Sequence, residues 1–180
     1  MAQTRAELIR FITGYTSSYA EEESFKQDFL NLLTAPGCFE RTHLPGHITG
    51  SAWIVDHLRK AVLLVHHAKL NRWLQPGGHA DGDENIRRVA LREAEEETGL
   101  HDFKVVTELP FDVDIHLIPE RKDFPAHYHY DVRFLIEASQ QQQLIVSEES
   151  HDVKWIPLAE LEAYTTEQSV LRMKAKTTLY

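Results

Sequence analysis

The stretch that decides the fold is GHADGDENIRRVALREAEEETGL, which runs from Gly78 to Leu100. It opens directly after a proline and a glycine, and these residues interrupt the preceding apolar run and predict a turn. From about Glu84 the apolar residues recur at helical spacing, and Gly99 stands where a left-handed helix cap would fall. The stretch therefore predicts a glycine-rich loop followed by a helix that carries a block of carboxylates.

Three of those carboxylates crowd together. Glu93, Glu96 and Glu97 are neighbours because positions three and four residues apart share one face of a helix. Like charges at this spacing repel by roughly 0.2–0.5 kcal/mol per pair, and the helix dipole adds about 0.3–1 kcal/mol for each charge near its negative end. A divalent cation would remove both penalties, and oxygen ligands without cysteine favour Mg²⁺ or Mn²⁺. Because Glu95 points away from the other three, the run is not simply a solvated acidic face.

The same stretch resembles the Nudix signature, which fixes the spacing of glycines, an Arg-Glu pair and a Glu-Glu pair. Ala94 is a small residue for an aliphatic slot and is the one loose match. The resemblance implies an α+β protein with the Nudix-type α/β/α sandwich around a mixed β-sheet. The residues that fill the signature are Gly78, Glu84, Arg92, Glu93, Ala94, Glu96, Glu97, Gly99 and Leu100.

The resemblance also implies a reaction and a metal site. Nudix hydrolases cleave a nucleoside diphosphate linked to another moiety by water attack on phosphorus, with a divalent metal that screens charge and activates water. Arg92 would orient one of the glutamates through a charge-assisted pair. Glu84 would either tether the loop or join the metal shell through water. The predicted metal ligands are Glu93, Glu96, Glu97 and the carbonyl of Gly77.

The general base and the substrate contacts are less defined by this resemblance. The base is either a glutamate of the helix or one from a late loop, where Glu148 and Glu149 are the candidates. His79 follows the glycines directly and is placed to meet a phosphate or a metal-bound water, with an exposed loop histidine as the equal alternative. The predicted substrate-binding residues are His79, Arg41, Lys69, Arg72, Arg133 and His129.

The segment HYHYDVRFLIE, residues 127–137, is the second informative stretch. Strand periodicity puts His127, His129, Asp131 and Arg133 on one face. Such a polar row predicts a pocket wall, and a solvent-facing edge strand is the alternative. A second metal site built from the first three of these residues is conceivable, but ligands in line along one strand span too far to chelate one ion easily.

Composition limits the possible partners and cellular location of the protein. The chain has 180 residues and a formal charge of −9, without a Lys/Arg cluster, which argues against nucleic acid as a partner and favours a small-molecule nucleotide or another diphosphate. Its single cysteine, Cys38, excludes an internal disulfide. No apolar run approaches the roughly 20 residues of a membrane span, and the first ten residues lack a signal-peptide core. We therefore expect a cytoplasmic protein with no membrane partner.

The chain divides into an N-terminal helical extension, residues 1–45, and a Nudix domain, residues 46–180. Helical spacing of apolar residues predicts two helices within residues 4–35. Three roles are open for this extension: it could cap one face of the domain, line the substrate pocket, or pair subunits in a homodimer. Later segments predict strands at 111–118 and 153–156, a helix that begins at LAELEAY, and a last helix over 167–174.

Three functions remain compatible with these residues. The leading one is a Mg²⁺- or Mn²⁺-dependent pyrophosphohydrolase. The second is a non-catalytic Nudix module that binds a nucleotide. The third is an enzyme of the isopentenyl-diphosphate isomerase type, against which the intact Arg-Glu and Glu-Glu pairs argue. The markers of three substrate subfamilies are absent: residues 115–118 are Ile-His-Leu-Ile, without the proline or tyrosine of two subfamilies, and the coenzyme A motif is missing.

Overall fold

The computed structural model describes residues 4–122 and 124–180. Its α-helices are α1 (Arg5–Gly14), α2 (Ala20–Leu32), α3 (Ile86–Thr98) and α4 (Gln168–Thr177). Its strands are β1 (Gly46–Val55), β2 (Ala61–His67), β3 (Arg72–Leu74), β4 (Gly77–His79), β5 (Lys104–Val105), β6 (Asp112–Ile118), β7 (His127–Glu137) and β8 (Ser150–Pro157). A short 3-10 helix spans Leu158–Ala163.

Within the described ranges the strands form one mixed sheet, with a main path of β3-β2-β1-β7-β5. The two long strands β1 and β7 are parallel along their whole length, and the other pairs are antiparallel. Each long strand changes its outer partner along its length. β1 pairs first with β4 and then with β2, and β7 pairs first with β6 and then with β5. The sheet therefore divides, and β4, with its two glycines, lies beside the first half of β1.

The two faces of β1 bury two different clusters. Ile48, Ala52 and Ile54 pack in the cluster that contains side chains from α1, α2 and α3. At Gly50 a Cβ atom would lie 2.8 Å from the carbonyl oxygen of Ile86, so only glycine lets α3 approach the strand. Trp53, on the opposite face, packs in the cluster that includes α4. Helices thus cover both faces of a mixed sheet, which confirms the predicted α/β/α sandwich.

The N-terminal helices are confirmed, and they share a core with the rest of the chain. The side chain of Thr4 caps α1 by accepting the backbone N–H of Glu7. Leu8, Ile12 and Phe29 are fully buried in the cluster that also holds the apolar face of α3. The boundary at residue 45 stays a prediction, and residues 1–3 of the extension lie outside the described ranges.

Three local expectations change. The segment after Pro157 forms a 3-10 helix rather than an α-helix. The strand predicted at 153–156 is longer, because β8 begins at Ser150. β7 is not an edge strand, because β1 and β6 flank it on either side. The solvent-facing alternative for its polar row is therefore wrong.

Among the described helices, none combines the length and the apolar character that crossing a bilayer requires.

Candidate functional site

The site begins with the placement of helix α3. The side chain of Asn85 accepts the backbone N–H of Arg88 and caps the start of the helix, and Gly99 ends it in the left-handed conformation, with φ of 72°. Ile86 and Val89 are buried against the sheet. These caps and contacts fix the rotation of the helix and turn its acidic side toward β4.

Two glutamates of α3 meet the glycines of β4. A carboxylate oxygen of Glu97 accepts the backbone N–H of Gly77 at 2.8 Å. The carboxylate of Glu93 lies against Gly78, where a Cβ atom would stand 2.5 Å from its carboxyl carbon. Glycine is therefore required at position 78 because the carboxylate occupies the space of a side chain.

The electrostatics of this pair are unfavourable without a cation. The pKa of Glu97 is raised to about 8, chiefly by burial and then by the charges of Glu93 and Glu149, while the hydrogen bond from Gly77 opposes the shift. Burial also raises the pKa of Glu93, although Arg92 opposes this shift. Two half-buried carboxylates with raised pKa values lie where burial disfavours their negative charge, and a bound cation would offset that cost. That donor set fits a hard divalent cation.

Arg92 connects the helix to β4. Its guanidinium donates to the carbonyl oxygen of His79 at 2.8 Å and to the carboxylate of Glu93 at 2.6 Å. A second nitrogen lies 3.9 Å from Glu96. Arg92 therefore holds Glu93 in place, as a positioning residue, and joins the carboxylates to the strand that carries the glycines.

The remaining predicted carboxylates lie around this centre at different depths. The side chain of Glu96 is 62% exposed, so it is at the solvent side of the pair formed by Glu93 and Glu97. Glu149 is exposed, and its charge contributes to the raised pKa values of both buried glutamates. Glu148 is also exposed and does not figure among those contributions. Glu149 is therefore the loop carboxylate that the structure brings near the helix.

Comparison with known proteins agrees with this geometry. Residues 47–175 match the family model described as the NUDIX domain. The chain belongs to the Nudix hydrolase family. A Xenopus laevis protein named m7GpppN-mRNA hydrolase NUDT17 is 41% identical over 56 residues. That match covers 28% of this chain and 19% of the relative, so the chain spans about a fifth of the relative's length.

Solved structures give the same fold. A Nudix family hydrolase from Clostridium perfringens has a TM-score of 0.60 at 22% identity, covering 74% of this chain and 97% of that one. A C. elegans Ap4A hydrolase binary complex has a TM-score of 0.59 at 18% identity, covering 73% and 95%. The NUDIX domain of Shewanella oneidensis NrtR, complexed with ADP ribose, has a TM-score of 0.53 at 21% identity, covering 74% and 88%. At these identities the likeness shows the fold.

The four cations predicted for substrate contact lie in different environments of the Nudix domain. Arg41 is exposed and forms two hydrogen bonds with Asp81, one of them at 2.6 Å. Arg72 pairs with Glu167 at 2.7 Å, and Lys69 is exposed in the turn after β2. Among these three cations, Arg41 interacts with the Nudix glutamates. Asp81 has the largest effect in raising the pKa of Arg41, and the charge of Glu93 raises it as well.

Arg133, in contrast, is inside the protein. It is 2% exposed and pairs with Asp112 at 3.1 Å, Asp114 at 3.1 Å and Asp131 at 2.7 Å. Burial in this network leaves no free face of the guanidinium for a phosphate. The polar row of β7 is therefore an internal ion-pair network at this end rather than a pocket wall.

The other end of the row joins a histidine cluster, which contains both predicted substrate-binding histidines. His79 and His129 lie beside His47 and His127. Burial lowers the pKa of His79 to about 4 and also lowers the pKa of His129, so these rings are neutral near pH 7. His47 was not predicted. Its signal is the alternation of His47, Thr49 and Ser51 in β1, which puts three polar residues on one face.

Proposed function

We propose that this chain is a metal-dependent pyrophosphohydrolase that cleaves the diphosphate bond of a nucleoside diphosphate linked to a second group, by water attack on phosphorus. The observation that carries the proposal is the pair Glu93 and Glu97. Both carboxylates are half-buried at the glycines of β4 with raised pKa values, and Glu149 stands nearby. A site that concentrates negative charge in this way is suited to a cation that also binds phosphates.

The donor set fits Mg²⁺ or Mn²⁺. Glu93, Glu96 and Glu97 would supply carboxylate oxygens, and the carbonyl of Gly77 would supply a fourth oxygen ligand. When bound, such a cation would screen the phosphate charges and lower the pKa of a bound water. The Gly77 N–H holds the Glu97 carboxylate, and Arg92 holds that of Glu93. The chain thereby orients two of the ligands before any ion arrives.

The proton of the attacking water needs an acceptor. Glu149 is our first candidate, because it is exposed and close enough to affect both buried glutamates. Glu148, its neighbour, is the second candidate, and its exposed carboxylate provides a direct comparison. Arg41, on the solvent side of the glutamates, would donate to a phosphate oxygen in place of part of its pair with Asp81.

We infer that the substrate is a small nucleotide. The names of the relatives mention m7GpppN-mRNA, Ap4A and ADP ribose, and each of these contains a nucleoside with linked phosphates. The phosphoanhydride bond is the chemistry these molecules share. The formal charge of −9 makes a long nucleic-acid backbone a poor partner, because nothing in the composition offsets phosphate repulsion along its length.

The test is phosphate release from a panel of dinucleoside polyphosphates, ADP-ribose, nucleotide sugars, capped dinucleotides, nucleoside triphosphates, NADH and coenzyme A, with and without Mg²⁺ or Mn²⁺. We expect metal-dependent turnover of one class. Glu97→Gln should lower kcat by at least about 100-fold, because even an outer-shell partner of a metal is worth about 10–100-fold. Glu95→Gln is the control, since Glu95 is an exposed glutamate on the same helix.

Two results would contradict the proposal. Equal turnover by Glu97→Gln and wild type would separate the reaction from the glutamate site. Nucleotide binding without turnover of any substrate would instead indicate a non-catalytic Nudix module.

A further inference from the structure

Four imidazole rings converge on one point between three strands. His47 comes from β1, His79 from β4, and His127 and His129 from β7. One ring nitrogen from each lies within 4.8 Å of the corresponding nitrogen of the others. Strand register produces this cluster, because His47 is opposite His129 in the parallel ladder and His79 is opposite Thr49, two residues farther along β1.

We propose that these four histidines bind a divalent transition metal of the zinc class in a tetrahedral site that is separate from the Nudix glutamates. The distance between two of the ring nitrogens is that of such a site. A Zn–N bond of about 2.0–2.1 Å places tetrahedral ligand nitrogens about 3.3 Å apart, and the Nε2 atoms of His127 and His129 are 3.3 Å apart. Five of the six ring pairs have centroids 5.0–5.2 Å apart, so the rings surround one centre.

The tautomers leave lone pairs at that centre. The Nδ1 atom of His47 faces the carbonyl of His43 at 3.2 Å, and that of His127 faces the carbonyl of Pro125 at 2.9 Å. A carbonyl only accepts, so each Nδ1 carries the proton and each Nε2 of the neutral ring carries a lone pair. A metal-binding histidine is normally oriented in this way, with its second nitrogen donating to a carbonyl.

The Nε2 atom of His47 provides an independent observation. His47 is fully buried, and its Nε2 has no hydrogen-bond partner among residues 4–122 and 124–180. A buried lone pair without a donor is costly unless another group meets it. A cation at the centre of the four rings supplies that group for His47 and lies within reach of one ring nitrogen from each of the other three histidines.

The donor type selects the class of metal and separates the two sites. Imidazole suits zinc, copper, nickel and iron, whereas carboxylates suit magnesium and manganese. Asp131, the carboxylate nearest along β7, accepts hydrogen bonds from Thr49, Ser51 and Arg133 instead. The ring of His116 lies edge-on to that of His129 but directs its Nδ1 to Asp114 at 3.0 Å. Four imidazoles are therefore the ligand set.

Four protein ligands close the coordination shell, which is typical of a structural metal rather than one that activates water. The metal would join β4 to β1 and β7 through the side chain of His79. The backbone carbonyl of the same residue accepts from Arg92, which holds Glu93. A metal in the four-histidine site would therefore fix the strand on which the Nudix glutamates rest.

The test uses the full chain without an affinity tag, stripped with a chelator and titrated with Co²⁺ in excess Mg²⁺, which occupies the carboxylates. We expect one Co²⁺ per chain with the intense visible bands of tetrahedral cobalt, and loss of these bands when Zn²⁺ displaces it. His129→Ala should weaken Co²⁺ binding by at least about 100-fold, because direct ligands matter more than the outer partners that are worth about 10–100-fold. His101→Ala, which changes an exposed histidine, should bind like wild type.

Two further variants keep the test decisive. Glu97→Gln should retain the tetrahedral bands, because the glutamates are not ligands of this site. His129→Cys should add a thiolate-to-cobalt charge-transfer band, which only direct ligation produces and which does not depend on retained affinity. Weak binding without tetrahedral bands, binding that His129→Ala leaves unchanged, or loss of the bands in Glu97→Gln would each overturn the proposal. Absence of the charge-transfer band in folded, cobalt-bound His129→Cys would overturn it as well.

Discussion

Both the Nudix glutamates and the four histidines meet β4, the glutamates at its glycines and the histidines through His79, yet the chain builds the two sites in opposite ways. The glutamates come from two turns of one helix, and their spacing alone puts them together. The histidines come from three strands, and they meet because β1 lies parallel to β7 with His47 opposite His129, 82 residues farther along the chain (129 − 47 = 82). Local sequence spacing is enough to predict the glutamate site, whereas the histidine site forms only when the sheet folds.

The two sites also differ in the charges that their side chains carry. The glutamates repel one another, and burial raises their pKa values, so the site is unfavourable until a cation arrives. Burial lowers the pKa values of His47, His79 and His129, which keeps these rings uncharged near pH 7. Farther along β7, Arg133 is paired with three aspartates. We expect the glutamate site to respond to Mg²⁺ and pH, and the histidine site to respond to zinc and to depend on the integrity of the sheet.

The largest expected effect is on stability, through the ion pairs that Arg133 forms farther along β7 than the histidines. Arg133→Met should lower the free energy of unfolding by about 3–5 kcal/mol, because it leaves the buried carboxylate of Asp131 without its charged partner. Urea denaturation measures this loss. Arg88→Met is the control: Arg88 pairs with Asp83 in the loop before α3, but its side chain is 64% exposed, so this variant should unfold at nearly the wild-type urea concentration. Similar losses in the two variants would contradict the contrast between the regions.

The next effect separates the metals. Zinc at about 1,000 times its dissociation constant should stabilise the chelator-stripped protein by about 4 kcal/mol, and Mg²⁺ at about 10 times its own constant by about 1.4 kcal/mol. His129→Ala should abolish only the zinc effect, and Glu97→Gln only the magnesium effect. Thermal unfolding of the three proteins in each metal checks this crossed pattern. A single variant that abolishes both effects would show that the two regions form one site.

An effect that is smaller per pH unit concerns the glutamates alone. The pKa of Glu97 is raised from 4.5 to about 8 on folding, so its contribution to stability is fully present below pH 4.5 and is lost as the pH rises toward 8. In metal-free protein, wild type should lose stability relative to Glu97→Gln by up to about 1.4 kcal/mol per pH unit in this window. Urea denaturation across the window measures the difference, and added Mg²⁺ should reduce it. Parallel profiles for the two proteins would refute the raised pKa.

The contrast also explains how far the sequence could predict the structure. Helix α3, its cap at Gly99, the strand over residues 127–137 and the two N-terminal helices follow from periodicity and turn residues, which are local signals. The type of helix after Pro157 is harder to predict from the sequence. Its apolar pair, Leu158 and Leu161, fits a 3-10 turn as well as an α-helix, and packing against the sheet rather than spacing decides between them.

The polar row of β7 shows what periodicity cannot supply. Alternation placed His127, His129, Asp131 and Arg133 on one face correctly, but it could not provide their partners. Those partners come from other elements, such as Asp112 on β6 and His47 on β1. Ligands in line along β7 alone are too far apart to chelate one ion easily, a limit that holds for a single strand. Neighbouring strands remove it, because they bring two more histidines within reach.

The smallest expected effect tests the one signature residue whose role stayed open. Glu84 accepts the backbone N–H and the Nε–H of Arg5, each at 3.1 Å, so it ties the loop before α3 to the start of α1. The side chain is 42% exposed, so Glu84→Gln should cost less than about 1 kcal/mol of stability. A tether has no part in metal binding, and the Mg²⁺ concentration for half-maximal turnover should stay at the wild-type value. Titration of Mg²⁺ against turnover, with Glu95→Gln as the matched control, measures this. A raised Mg²⁺ requirement in Glu84→Gln alone would move Glu84 into the water-mediated shell of the metal, and the glutamate site would then reach beyond its helix.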